Sequence, residues 1–188
     1  MEQNYYEVEA NVESYSKFTP SHDGGLLVEA LAAHLPEGSS VLELGMGPGK
    51  DYQLLAQHFE VTGSDFSNAF LERYRAQDTS AELLHLDART LETDSRFDAM
   101  FSNKALIHFS PEELQQSFAR QYEVLNEGGL MLHSFWLGEG QKEFGELTLM
   151  YHNEQDLTKL LEGSFEILAL EKHAKMAQDD SIYVVARK

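Results

Sequence analysis

The stretch that most restricts how this chain can fold is Val41-Leu42-Glu43-Leu44-Gly45-Met46-Gly47-Pro48-Gly49-Lys50-Asp51. A short apolar strand runs into a glycine-rich turn, and a helix begins directly behind it. Such a junction leaves backbone N–H groups bare at a helix N-terminus, where open α/β sheets receive nucleotide-like ligands. The spacing is E-x-G-x-G-x-G. A dinucleotide-binding turn has its third glycine three positions after the second, and Lys50 stands there instead.

A strand–helix rhythm surrounds this turn. Leu27, Leu31 and Leu35 share one face of a helix expected over 22–35, and Tyr52, Leu55 and Phe59 are the core contacts of one expected over 50–58. A second strand, Val61–Ser64, ends at Asp65, 20 residues after Gly45. That is about the separation at which an acidic residue meets a ribose in Rossmann-type sites. A helix carrying Phe70, Leu71 and Tyr74 follows, and a third strand, Glu82–Leu86, ends at Asp87-Ala88. Phe97–Ser102 reads as the fourth strand. Ser110-Pro111-Glu112-Glu113 has the marks of a helix start: a capping serine, Pro at the first helical position and a capping-box Glu. Leu114, Phe118, Tyr122 and Leu125 are the expected buried face of that helix. Asn126–Gly129 stops it, and the fifth strand is expected over 130–136. Residues 137–150 read as a loop. Asn153 caps a helix with Leu157, Leu160 and Leu161, and Phe165–Leu170 and Ile182–Ala186 are two final strands, paired antiparallel.

The compressed glycine turn, Asp65, Asp87-Ala88 and the L-x-x-G-G element Leu125-Asn126-Glu127-Gly128-Gly129 together resemble the class I, Rossmann-like S-adenosylmethionine-dependent methyltransferases, over roughly residues 38–188. The resemblance implies an α/β three-layer sandwich. Its seven-stranded sheet would be mostly parallel in the order 3-2-1-4-5-7-6, with the last strand antiparallel. One domain over 1–188 is expected, with residues 1–35 as an arm and helix covering the pocket. S-adenosylmethionine would be the cofactor and S-adenosylhomocysteine the product. Glu43 would face the methionyl ammonium, and Gly45, Met46 and Gly47 would give close backbone approach. Asp65 would take the ribose hydroxyls, Phe66 would border the adenine, and Asp87 and Ala88 would read the base. Asn103 falls near the methionyl group. Tyr15, His108 and Trp136 fall in the substrate pocket.

Composition narrows the acceptor. Fourteen basic against 32 acidic residues give a charge of −18, a field that repels a polyphosphate backbone and disfavours DNA or RNA. No apolar run reaches the length of a membrane span, and residues 1–4 lack the basic start of a signal peptide; a cytoplasmic location is expected. Without cysteine there is no thiol nucleophile. The histidines lack metal-ligand spacing, so no metal is expected. No Asn/Asp-Pro-Pro-Tyr/Phe element follows the fourth strand. A small-molecule acceptor is the expectation, with the oligomeric state open. Methyl transfer needs a general base only if the acceptor arrives protonated, and His108, in the loop after the fourth strand, is the first candidate. His133 is expected to face a helix, and Lys104 to be solvated. Two alternatives stay open: an NAD-dependent oxidoreductase, which shares the sheet and the ribose aspartate, and a non-catalytic S-adenosylmethionine-binding module.

Overall fold

The computed structural model describes residues 5–18, 24–174, 176–177 and 179–188. In chain order the elements are α1 (Glu9–Phe18), α2 (Gly25–Ala32), β1 (Ser40–Leu44), α3 (Lys50–Leu55), β2 (Glu60–Asp65), α4 (Asn68–Gln77), β3 (Glu82–His85) and β4 (Phe97–Asn103). After a 3-10 turn at Leu106–His108 come α5 (Pro111–Val124), β5 (Leu125–Leu137), β6 (Gln141–Phe144), β7 (Leu147–His152), α6 (Glu154–Leu161), β8 (Glu166–His173) and β9 (Ser181–Arg187). The expected start of α2 at His22 lies outside the described residues.

Strands β3, β2, β1, β4 and β5 lie side by side in parallel. β9 runs antiparallel beside β5, and β8 antiparallel beside β9. This is the expected seven-strand order, and β9 is its one reversed strand. Alternation along each strand divides the core into two layers. Val41, Phe101, Leu132 and Val185 pack under α2, α3 and α4. Leu42, Met100, Met131 and Val184 pack under α5 and α6. On α5 the Ser110 hydroxyl accepts from the Glu113 N–H, and the Glu113 carboxylate accepts from the Ser110 N–H, so both partners of the capping box are engaged.

Two expectations need correction. Residues 137–150 are no loop: β6 and β7 form a hairpin, so the sheet has nine strands. Its two-residue turn, Gly145-Glu146, has a positive φ of 63° at Gly145 alone, the pattern of a hairpin turn with glycine first. β6 is exposed throughout and β7 half-buried, so neither shows an apolar rhythm. Second, Tyr122 is exposed, while Ser117 and Gln121 occupy the buried face of α5.

The hairpin has a defined place. At Trp136, β5 pairs with β9 on one edge and β7 on the other. That second edge is held by β4 only as far as Ser134. β7 therefore takes over where β4 ends, above the carboxyl ends of the central strands.

Gly49 shows how tightly the turn is built. It caps α3 at φ 80°, and a Cβ there would lie 2.1 Å from the Tyr74 ring. Tyr74 is itself buried against Tyr52. Gly49→Ala meets both left-handed backbone strain and overpacking, so it should lower stability by roughly 2–4 kcal/mol, read as a shifted midpoint in urea unfolding.

Candidate functional site

The carboxyl ends of β1, β2, β3 and β4 open into one cavity. Its walls include Gly45 and Gly47 from the glycine turn, Asp65 and Phe66 after β2, Asp87 and Ala88 after β3, and Asn103 and His108 after β4. Tyr6 and Tyr15 from the N-terminal arm close one side. Nine of the residues singled out from the sequence, Tyr15 among them, thus meet at one place.

Asp65 fastens the glycine turn to β2. One of its oxygens accepts from the Gly47 N–H at 2.8 Å and the other from the Ser67 N–H at 2.8 Å. Burial pushes its pKa up to about 6, even though these two N–H groups pull it down. Each oxygen keeps a lone pair that a hydroxyl could address, so a ribose diol can still bind.

Glu43 is buried beneath the turn rather than lining the cavity. Ser64 donates to its carbonyl at 2.7 Å, tying β1 to β2 there. Its Oε2 is buried with no hydrogen-bond partner among the described residues. Burial, and then the nearby charges of Asp51 and Asp65, push its pKa well above the usual carboxylate range. A buried carboxyl in this position is relieved by taking up a proton or by meeting a cation. Asn103 reaches the same corner, donating to Asp51 at 2.9 Å and accepting from the Ser134 hydroxyl at 2.9 Å.

Asp87 is held differently. Its Oδ1 accepts from the Arg89 N–H at 2.9 Å and from the Arg89 guanidinium at 3.2 Å. That guanidinium also donates to Glu113 at 2.7 Å and covers the Phe109 ring at 4.5 Å. His108 is bonded on both ring nitrogens. The Thr148 carbonyl 3.2 Å from Nδ1 can only accept, so Nδ1 carries the proton. Nε2 is then an acceptor, and the Tyr6 hydroxyl, 3.3 Å away, donates to it.

Three further residues depart from expectation. The Met46 side chain is buried in the core under the turn, with its N–H donating to Ser64, so it offers the cavity nothing. Trp136 does not line the cavity; it packs on the α5 side of the core with Lys104 Nζ 4.7 Å above its ring. Lys104 is not a solvated side chain. It lines the cavity, and its ammonium donates to the Phe135 carbonyl. The sequence reading also missed Tyr6, Ser67, Phe70 and Arg89. Of these, Ser67 and Arg89 carried a local signal, from their places directly after Asp65-Phe66 and Asp87-Ala88.

A family profile described as a methyltransferase domain matches residues 41–129. Over that stretch, just under half of its length, the chain is similar to methyltransferase domains. Trans-aconitate 2-methyltransferase of Variovorax paradoxus (strain S110) is 34% identical over 101 residues, which cover 52% of this chain and 38% of that protein. A second curated relative, from Geobacillus sp. (strain WCH70), is matched over 40% of its length. The chain thus matches about two fifths of the length of these relatives. The fold is shared with 1,6-didemethyltoxoflavin-N1-methyltransferase of Burkholderia thailandensis, solved with 1,6-didemethyltoxoflavin and S-adenosylhomocysteine. That likeness has a TM-score of 0.77 at 20% identity and covers 94% of this chain and 82% of that one. The N-methyltransferase NodS of Bradyrhizobium japonicum WM9, solved with S-adenosylhomocysteine, is similar at a TM-score of 0.71 and 15% identity, over 87% of this chain and 84% of that one.

The two buried carboxylates make ligand binding proton-linked. A ligand that favours the ionised forms must release protons as it binds. Because burial holds the Glu43 pKa well above the carboxylate range, a ligand that brings a cation against it should release protons as it binds, seen as a buffer-dependent heat in calorimetry with S-adenosylhomocysteine and reduced in Glu43→Gln. Asp65 has a pKa of about 6, so it alone should lower affinity about tenfold between pH 7 and pH 5. That fall should be missing in Asp65→Asn.

Proposed function

We propose that the chain is an S-adenosylmethionine-dependent methyltransferase acting on a small-molecule acceptor, with His108 as the general base. The observation that carries this reading is that one cavity is shared by the glycine turn, by Asp65 and Asp87, and by an imidazole whose unprotonated nitrogen is fixed.

In this reading Glu43 acts on the ammonium of the cofactor from beneath the glycine turn, Asp65 takes its ribose hydroxyls, and Asp87 with the Ala88 N–H reads its adenine. Asn103 borders the methionyl end, and Phe66 flanks the base. When bound, the cofactor supplies an electrophilic methyl group on a sulfonium. The chain's own task is to place a nucleophile in line with it and exclude water, which supplies much of the acceleration in such displacements. His108 Nε2 takes the acceptor's proton once the acceptor has replaced the Tyr6 hydroxyl as its hydrogen-bond donor. The Thr148 carbonyl holds the ring in the tautomer that allows this and stabilises the imidazolium that results. Tyr6 and Tyr15 wall the acceptor side, and Trp136 acts there only through Lys104.

The acidic surface favours a small acceptor over a nucleic acid. No helix among the described residues is long and apolar enough to cross a membrane, and we place the enzyme in the cytoplasm. The −18 charge and the Asp65 and Asp87 walls favour a neutral or cationic acceptor over a polyanion.

The test is calorimetry with S-adenosylmethionine, S-adenosylhomocysteine and NAD, followed by transfer of a labelled methyl group into small-molecule fractions. Binding of NAD alone would replace this reading with the oxidoreductase. Binding of the sulfur ligands with no acceptor labelled in any fraction would favour a non-catalytic module. Once an acceptor is in hand, His108→Gln should lower kcat by about 100-fold or more while leaving the S-adenosylhomocysteine Kd within about twofold.

A further inference from the structure

His133 is fully buried in the middle of β5, and the chemistry above makes no use of it. Burial pushes its pKa down to about 3, so it is neutral and has one ring proton to place. It stacks on Phe118 of α5 at 5.7 Å. Both its nitrogens belong to a chain of four hydrogen bonds whose direction is set by its far end.

That end is the Ala88 carbonyl, which can only accept. The Ser117 hydroxyl donates to it at 2.7 Å. Its single proton spent, Ser117 must accept from the Gln121 amide nitrogen at 3.1 Å. The Gln121 oxygen therefore faces His133 and accepts from Nε2–H at 2.7 Å. His133 Nδ1 is left as an acceptor, filled by the Ser102 hydroxyl at 2.8 Å. Ser102, Ser117, Gln121 and His133 are all 0% exposed. A buried polar chain with every member satisfied has one low-energy arrangement, and reversing any bond strands a donor or acceptor.

The peptide unit between Ala88 and Arg89 is gripped at both ends. Its carbonyl takes the Ser117 proton, and its N–H donates to Asp87 Oδ1 at 2.9 Å. Turning that peptide would carry the Asp87 carboxylate with it. We propose that Ser117, held by Gln121, His133 and Ser102, is a positioning residue that orients the Asp87 carboxylate for a 6-amino purine and so sets the base selectivity of the cofactor site. The proposal rests on the reading of Asp87 as the adenine ligand.

The experiment compares binding of S-adenosylhomocysteine with S-inosylhomocysteine, which has an oxo group in place of the amino group. Calorimetry is run on the full chain and on Ser117→Ala, Ser117→Thr, Gln121→Met, Asp87→Ala and Leu161→Ala. Ser117→Ala should weaken S-adenosylhomocysteine by about five- to tenfold, the worth of one aimed hydrogen bond, and leave the inosyl compound unchanged. Ser117→Thr keeps the hydroxyl and should restore selectivity. Gln121→Met leaves the Ser117 hydroxyl free to turn and should lower selectivity by about two- to threefold; it carries the test if Ser117→Ala does not fold. Leu161→Ala removes core volume under α6 and should lower the melting temperature without touching selectivity.

Loss of selectivity in Asp87→Ala with none in Ser117→Ala or Gln121→Met overturns the proposal and leaves the adenine assignment standing. Unchanged selectivity in Asp87→Ala overturns the adenine assignment and the proposal with it. An equal loss in Leu161→Ala also overturns the proposal, because mere loosening would then explain the effect.

Discussion

The site depends on acid buried where a folding chain would least favour it. Glu43 and Asp65 sit at the ends of adjacent parallel strands, nearly inaccessible to solvent, with Asp51 close enough to raise the Glu43 pKa further. A buried carboxylate without a partner destabilises a fold unless it takes up a proton or meets a cation. Asp65 is relieved by two backbone N–H groups, and in accepting them it fixes the glycine turn against β2. Glu43 has no such relief at Oε2. The protein holds one carboxylate in place with its own backbone and leaves one oxygen of the other without a partner among the described residues.

That arrangement follows from strand alternation. Val41 and Glu43 share a face of β1, and Val41 lies in the layer beneath α2, α3 and α4. A residue two positions on in a parallel strand can only point the same way. Glu43 is therefore carried into the interior by the same periodicity that buries valine, directly before the turn frees the chain.

Features legible in the sequence were local ones: strand–Gly turn–helix, strand–Asp, strand–Asp–Ala and the capping box of α5. Each is written within a few residues, and each pins one wall of the cavity. Contacts across long separations were not legible. Tyr6 and His108 are 102 residues apart, and His108 and Thr148 are 40 apart. α5 shows a subtler failure. Reading only its apolar positions picked Tyr122 and passed over Gln121, yet Gln121 is the fully buried one. Its partner Ser117 lies one turn back on the same face, and the pair is buried because each satisfies the other. Trp136 misled in the opposite sense: a large aromatic at a strand end suggested a pocket wall, while branching of the sheet turned it toward the core.

The parts that frame His108 differ in kind from those that carry Asp65 and Asp87. The corner around Asp65 and Asp87 is made of the ends of paired strands, β1, β2 and β4 with a ladder on each side and β3 with one, so its geometry is inherited from the sheet. The other corner is built from additions. The arm brings Tyr6, fastened by its carbonyl to the Ser67 hydroxyl at 2.6 Å, and the β6–β7 hairpin brings the Thr148 carbonyl. Neither belongs to the seven-strand frame, and among the described residues no strand pairs with the outer edge of β6. Ser67 joins the two corners, since its N–H holds Asp65 while its hydroxyl holds the arm. A shift of Asp65 on meeting a ribose would therefore reach Tyr6 through one residue, and through Tyr6 the imidazole. Cofactor recognition can stay constant in such a scaffold while the acceptor corner changes, because one is tied to the sheet and the other is only leaned against it.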